Sequence, residues 1–157
     1  MSSIEIETGD GMMEAWLEKP ASGGGPALVL IQEIFGVNQV MRDFARFFAA
    51  AGFVSVVPDL FWRLEPGIQL TDKTEAEWKQ AFGYMQRFDV DAGIRDIAGT
   101  IAAARSLPGS TGKVGAVGYC LGGRLAYLTA TRTGPVDFTW TDQDGTVTTN
   151  SAMLQVT

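Results

Sequence analysis

The residue best placed for covalent chemistry is Cys120, the only cysteine in the sequence. It lies in a Gly-x-Cys-x-Gly turn that follows a short apolar run and precedes a stretch of helix-forming residues. Gly118 and Gly122 suit such a turn, because a sharp strand-to-helix crossing leaves no room for side chains. At the start of a helix, unpaired N–H groups and the helix dipole favour a thiolate. The pattern therefore predicts a nucleophile, whereas a lone cysteine in an apolar stretch is more often a small core residue.

A nucleophile of this kind normally needs a base, and the 157 residues contain no histidine. Glu33 is a candidate partner for the thiol, since it lies in a turn directly after the apolar run 27–31. A carboxylate is a poor base for a thiol, however, and its negative charge opposes formation of a thiolate. The sequence thus indicates a nucleophile and a thiol partner but leaves the proton carrier for a leaving group unassigned.

Length and composition predict one globular domain. The chain has 157 residues, of which 46% are hydrophobic and 19% charged, so it carries enough apolar material for a core. A net charge of −6 argues against nucleic acid or an anionic membrane as a partner. No signal-peptide pattern is visible, and no apolar run approaches the ~18 residues of a membrane span. We expect a cytoplasmic protein that acts on a small molecule without a metal or cofactor, since a lone cysteine fits a reducing compartment.

The order of the apolar patterns predicts an α/β fold. A hairpin is expected within residues 4–18, and buried parallel strands are expected at 27–31, 53–57 and 114–117. Helical spacing connects Val40, Phe44, Phe47 and Phe48, and further helices are expected at 74–87, at 89–104 and after Cys120. This alternation predicts a mostly parallel sheet with helices on both faces. Cys120 and the Glu33 turn would then share the edge formed by the carboxyl ends of the strands.

Several aromatic side chains are candidates for the lining of a substrate pocket. The loop 59–72 is long enough to suggest a function, and a helix pattern follows it. The candidates are Phe35, Trp62, Trp78, Phe82 and Tyr119. Trp78 and Phe82 also lie at helical spacing, so packing in the core is an equal alternative for them.

Four segments in this order carry a family resemblance: QEIFGVN at 32–38, PDL at 58–60, FDVDAG at 88–93 and GAVGYCLGG at 115–123. Together they resemble the dienelactone hydrolase family, the carboxymethylenebutenolidases, of the α/β-hydrolase superfamily. The resemblance implies the α/β-hydrolase fold and hydrolysis of an ester or lactone by a Cys-His-Asp triad. It makes Cys120 the nucleophile and Glu33 the group that holds its thiol. It also implies an oxyanion hole made by the backbone N–H groups of Leu121 and Ile34.

The sequence departs from this family in two places. In the family, the triad Asp and His lie beyond the helix that follows the nucleophile. No histidine follows Cys120 here. The family enzyme that acts on dienelactone binds the substrate carboxylate with an arginine. In this sequence, Trp78 lies in the corresponding region. The second departure puts a substrate that bears a carboxylate in doubt.

The last segment looks different from the rest. We expect residues 1–133 to form the N-terminal part of an α/β-hydrolase domain, incomplete in its C-terminal half. Residues 134–157 form an atypical Thr-rich tail, either a hairpin around Asp144-Gly145 or disordered, as in a truncated or frame-shifted chain. An uncovered strand at 114–117 would then offer an edge for self-association. Two alternatives to an esterase stay open: an inactive protein whose thiol serves binding or redox sensing, and one half of a two-chain assembly.

Overall fold

Five strands form one mixed sheet, and four helices pack against it. The structure, a computed structural model, describes residues 2–133, 138–141 and 147–150. The strands of the sheet are β1 (Ser2–Thr8), β2 (Gly11–Glu18), β3 (Gly25–Ile31), β4 (Val54–Pro58) and β5 (Ser110–Gly118). The helices are α1 (Gln39–Ala50), α2 (Glu75–Arg87), α3 (Val90–Ser106) and α4 (Leu121–Thr133). In the described ranges, none of these helices is both long enough and apolar enough to cross a membrane.

The sheet has the strand order β1-β2-β4-β3-β5. β3 lies between β4 and β5 and runs parallel to both, while the β1–β2 hairpin joins β4 in antiparallel orientation. The predicted α/β fold is therefore confirmed, with the hairpin making the sheet mixed. Within the described residues, β5 pairs with one strand only, β3. Strands β6 (Phe138–Thr141) and β7 (Val147–Asn150) pair with each other as a separate antiparallel sheet, and residues 142–146 lie outside the described residues.

The helices lie on both faces of the sheet. Successive side chains of a strand point to opposite faces, so β3 contributes to two clusters of buried residues. Val29 packs in one cluster with Ile97 of α3 and Leu125 of α4. Leu30 packs in the other with Met41 of α1. A parallel strand covered on both sides has to be apolar along its whole length, which explains the unbroken run in β3.

The first helix differs from its predicted packing. The helical spacing of apolar residues predicted α1 correctly, but Val40 is 48% exposed and Phe47 is 67% exposed. The buried residues of the helix are Met41, Ala45 and Ala49. The two alanines let the helix backbone approach the sheet closely, while Phe44 and Phe48 are half-buried and pack against the same cluster as Met41 and Ala45.

The helix α2 begins at a cap formed by two polar side chains. The Thr74 hydroxyl accepts the N–H of Glu77 at 3.2 Å and donates to the Glu77 carboxylate at 2.8 Å. The pairing of these two residues satisfies one of the free N–H groups at the helix start, and the helix predicted at 74–87 is confirmed. The next helix, α3, begins in the same way at Asp89, whose carboxylate accepts the N–H of Ala92 at 3.0 Å.

A very close backbone contact lies where β5 passes into α4. In the parallel register Ile31 of β3 is the partner of Gly118 of β5. A Cβ atom on Gly118 would lie 2.1 Å from the carbonyl oxygen of Gly122, and a Cβ on Gly122 would lie 2.2 Å from the carbonyl oxygen of Ile31. Real Cβ atoms essentially never approach so closely. Only glycines at these two positions let the turn press against the end of β3.

We expect Gly118→Ala to lower the free energy of unfolding by roughly 1–3 kcal/mol, the usual cost of overpacking. Gly83 provides a matched control, since no atom lies within 4 Å of a Cβ built there. Gly83→Ala lies inside α2 and should raise the free energy of unfolding by roughly 0.5–1 kcal/mol. Urea unfolding of the three proteins measures both effects. Equal effects of the two substitutions would contradict the close crossing.

Candidate active site

Cys120 has the most unusual backbone of the described residues. Its φ angle is 55°, and no other non-glycine residue in the described ranges has a positive φ. This left-handed conformation is costly for a residue with a side chain, and such strain is found most often at functional sites. The carbonyl of Cys120 accepts the N–H groups of Gly123 and Arg124 at 3.1 and 3.3 Å. The helix α4 thus holds the turn from one side, while the thiol itself is exposed.

The turn that carries Glu33 lies at the same edge of the sheet. Ile31 and Gly118 are paired, so Glu33 and Cys120 each follow a paired residue by two positions. Within the described residues, the two side chains make no hydrogen bond with each other. The Glu33 side chain is half-buried, and its pKa is raised above 4.5, first by burial and second by the negative charge of Asp72. The fold therefore brings the two turns to the same edge of the sheet. Because its pKa is raised, Glu33 binds a proton more readily than an exposed glutamate does.

Gln32 fixes the shape of the Glu33 turn. Its side chain is fully buried, the Oε1 atom accepts the N–H of Leu60 at 2.9 Å, and the Nε2 atom donates to the carbonyl of Glu33 at 3.3 Å. A buried amide with a partner for both of its ends holds the chain in one conformation. The role of Gln32 could not be predicted from local patterns in the sequence. The available signal was a glutamine placed immediately after a fully apolar strand.

The loop after β4 holds the other end of the turn. Asn38 caps α1 by accepting the N–H of Met41 at 3.2 Å, and its amide donates to the carbonyl of Leu70 at 2.8 Å. The N–H of Leu70 in turn donates to the carbonyl of Phe35 at 2.9 Å. The turn is therefore fixed between a helix start and the loop 59–72, which explains the ordered shape of that long loop.

Asp59 organises the start of the same loop. Its carboxylate accepts the N–H groups of Phe61 and Gly67 at 3.2 and 2.8 Å. Burial raises the pKa of this carboxyl group, the two N–H donors lower it, and the nearby charge of Glu14 raises it. The sequence analysis used the Pro58-Asp59-Leu60 segment only as part of the family resemblance. In the structure, the two hydrogen bonds of the Asp59 carboxylate close the first part of the loop 59–72.

Two backbone N–H groups at this edge donate to no partner among the residues that the structure describes. Leu121 is the first residue of α4, so its N–H has no acceptor within the helix. Neither this group nor the N–H of Ile34 donates a backbone hydrogen bond in the described part of the chain. These are the two residues expected to form an oxyanion hole. Both are free to donate to a bound oxygen atom.

The predicted pocket residues fall into three places. Phe35 contacts Trp78 edge to face at 5.0 Å between ring centroids, and Trp78 contacts Phe82 at 5.6 Å. Tyr119 stacks on a ring of α1 at 5.0 Å, next to the nucleophile turn but on the α1 side of the sheet. Trp62 donates its indole N–H to the Asp96 carboxylate at 3.0 Å, among residues of α3. The structure thus joins three of the five candidates in one aromatic group beside the Glu33 turn.

No metal-binding group is evident in the described ranges, in which no three His, Cys, Asp or Glu side chains cluster suitably. The residues gathered at the sheet edge are one thiol, one half-buried carboxyl group and free backbone N–H groups. This set suits attack on a carbonyl carbon and stabilisation of the oxygen that becomes negative.

Comparison with known families adds to this geometry. The profile of the dienelactone hydrolase family matches residues 13–141. The chain belongs to this family. A carboxymethylenebutenolidase of Pseudomonas putida is 44% identical over 135 residues, which cover 85% of this chain and 57% of that protein. A protein of Azospirillum brasilense is 49% identical over 137 residues, which cover 84% of this chain and 58% of that protein. The chain of this dienelactone hydrolase family member thus spans little more than half the length of these relatives.

Solved structures of the dienelactone hydrolase type have the same fold. A dienelactone hydrolase-like promiscuous phosphotriesterase from metagenomic libraries matches with a TM-score of 0.64 and 23% identity, over 83% of this chain and 53% of that one. A dienelactone hydrolase of Anabaena variabilis matches with a TM-score of 0.58 and 20% identity, over 83% of this chain and 56% of that one. At this identity the likeness concerns the fold, and it confirms the predicted α/β-hydrolase architecture.

The raised pKa of Glu33 makes a prediction about stability. In the folded chain this group binds its proton more tightly than in the unfolded chain, so the folded state is penalised as the pH rises through the pKa of the unfolded chain. Glu33→Gln removes the penalty. The stability of the variant relative to the unmodified chain should therefore increase as the pH is raised from about 4, near the ordinary pKa of a glutamate, toward neutral pH, as measured by urea unfolding.

The control for this prediction removes the second cause of the shift. In an Asp72→Asn background the negative charge next to Glu33 is absent, so the pH-dependent gain from Glu33→Gln should shrink. A difference between Glu33→Gln and the unmodified chain that stays constant across this pH range would show that Glu33 is not in the environment described.

Proposed function

We propose that this chain carries the nucleophile and the oxyanion hole of a cysteine-dependent hydrolase of small esters or lactones. The observation that supports this most strongly is the backbone of Cys120, with a φ of 55° directly before the first residue of α4. A strained turn exposes Cys120 at the edge of the sheet, next to N–H groups that have no partner in the described part of the chain. Membership of the dienelactone hydrolase family supports the same chemistry.

In the proposed reaction the thiolate of Cys120 attacks the carbonyl carbon of the ester. A C–S bond forms, and the carbonyl oxygen becomes an oxyanion that accepts the N–H groups of Leu121 and Ile34. Collapse of this intermediate breaks the C–O bond and releases an alkoxide, which takes up a proton. The product is a thioester on Cys120, and water must then attack it to release the acid.

Glu33 is proposed as the partner of the thiol before the substrate binds. Its raised pKa makes it a better proton acceptor than an exposed glutamate, although it remains a weak base for a thiol. The sequence contains no histidine, and its relatives are much longer. We therefore propose that the base for the second step comes from polypeptide outside these 157 residues. Self-association along β5, which pairs with one strand within the described residues, remains a separate prediction.

The proposal predicts acylation of Cys120 without sustained turnover. Loss of the histidine from a serine-protease triad costs on the order of a millionfold in turnover, so hydrolysis of the thioester should stall. Incubation with p-nitrophenyl acetate should release about one equivalent of p-nitrophenolate per chain, and intact-mass analysis should find one acetyl group on Cys120. Cys120→Ala, which retains every lysine of the chain, controls for acetylation at other sites.

Two results would change this assignment. A chain that is acetylated equally with and without Cys120 has no reactive nucleophile at this turn, and a role in binding or redox sensing would then be the better reading. Continuous turnover that depends on Cys120 would show that these 157 residues contain a sufficient base.

A further inference from the structure

The aromatic group beside the Glu33 turn is exposed and firmly held. We call Phe35, Trp78 and Phe82 the aromatic wall. Phe35 is buried in the turn itself, whereas Trp78 is 39% exposed and Phe82 is 43% exposed on α2. Large apolar side chains that lie together at a surface and next to a reactive group form a plausible contact for a flat apolar ligand.

Polar contacts fix the wall in place. The indole N–H of Trp78 donates to the carbonyl of Asp72 at 2.9 Å. The Glu77 carboxylate accepts the N–H and the hydroxyl of Thr71 at 2.9 and 2.7 Å, and it also accepts the Thr74 hydroxyl. The segment before α2 is thereby tied to the first turn of the helix. A ring held in this way presents its surface with little further loss of conformational entropy on binding.

The charges around the wall are negative. Glu33 lies in the turn that holds Phe35, and the charge of Asp72 is close enough to raise the pKa of Glu33. Within the described ranges, no lysine or arginine forms a hydrogen bond or ion pair with either carboxyl group. The nearest cation along the chain is Lys73, which follows Asp72 and whose charge lowers the pKa of Glu77. A second carboxylate brought beside Glu33 and Asp72 would still meet two acidic side chains that, within the described residues, no lysine or arginine pairs with directly.

The cations of α2 point elsewhere. Lys79 and Arg87 lie about 100° and about 180° around the helix axis from Trp78. Arg87 lies over the ring of Tyr84 at 5.0 Å and donates to the carbonyl of Gly83 at 3.2 Å. Neither is placed to neutralise a negative group held against Trp78.

The wall begins one residue from an expected oxyanion donor. Ile34 is expected to donate its N–H to the acyl oxygen, Phe35 is the next residue of that turn, and its ring contacts Trp78 at 5.0 Å. An acyl group on Cys120 whose oxygen accepts the Ile34 N–H is therefore placed beside the turn that carries the wall.

We propose that this site takes neutral esters with a flat aromatic acyl group, and that it discriminates against acyl groups bearing a carboxylate. The proposal rests on the proposed function. It separates this chain from relatives that are named for a carboxymethylene-bearing butenolide.

A matched pair of esters tests the proposal. The p-nitrophenyl esters of para-methylbenzoic acid and of para-carboxybenzoic acid have the same leaving group and ring, and they differ in one negative charge. The acylation rate of Cys120 is measured from the burst of p-nitrophenolate, and each rate is divided by the rate of the same ester with N-acetylcysteine. We expect the neutral ester to react about tenfold faster after this correction, because it contacts the wall and avoids the two carboxyl groups.

Variants assign the preference to the wall. Trp78→Arg replaces the ring by a cation and should abolish or reverse the preference, whereas Trp78→Phe keeps a ring and should retain it. Ala76→Arg adds the same charge to an exposed residue about 160° around α2 from Trp78, and it should leave the preference almost unchanged.

Three results would overturn the proposal. Acylation of the unmodified chain at equal corrected rates would refute the substrate class and leave the proposed function standing. An unchanged preference in Trp78→Arg would show that the wall does not cause it. Absence of acylation by either ester would refute the proposed function and this inference together.

Discussion

The contact on which the site depends is the approach of three backbone segments at the end of β3. A Cβ atom on Gly118 or Gly122 would lie little more than 2 Å from a carbonyl oxygen, so the turn, the helix start and the strand end touch through bare backbone. Cys120, between these two glycines, has a left-handed conformation. The same contact places the backbone of Leu121 and the end of β3 at one edge. A wider crossing would separate Cys120 from the turn that carries Glu33.

A second set of contacts keeps the Glu33 turn from moving. Gln32, Asn38 and the backbone of Phe35 each form a hydrogen bond with the loop after β4. That loop leads directly to Trp78, so the same contacts that hold the Glu33 turn also hold the aromatic wall. The proposed reactivity and the proposed substrate preference would thus both depend on how one loop closes onto one turn.

Local patterns in the sequence were sufficient to predict several elements of the fold and of the candidate site. The turn at Cys120, the turn at Glu33 and the cap at Thr74 depend on residues close together in the chain, and all three are present as elements of the structure. The apolar run of β3 predicted a strand covered on both faces, and the two clusters confirm it.

Contacts between distant residues could not be predicted in the same way. The hydrogen bond between Gln32 and Leu60 joins two strand ends. The indole N–H of Trp62 donates to Asp96, which lies 34 positions further along the chain. The buried residues of α1 could not be predicted either. Large aromatic residues carry the strongest apolar signal in the sequence, whereas two small alanines make the closest approach to the sheet. Such choices depend on the space between packed elements, which a periodic pattern does not encode.

The central claim is that a carbonyl oxygen on Cys120 is received by two backbone N–H groups from different turns. A crystal structure of the chain with Cys120 converted to its thioester tests this most directly. The account predicts an acyl oxygen about 2.7–3.1 Å from the backbone nitrogens of both Leu121 and Ile34. An acyl oxygen directed into solvent, with either nitrogen more than about 3.5 Å away, would contradict it.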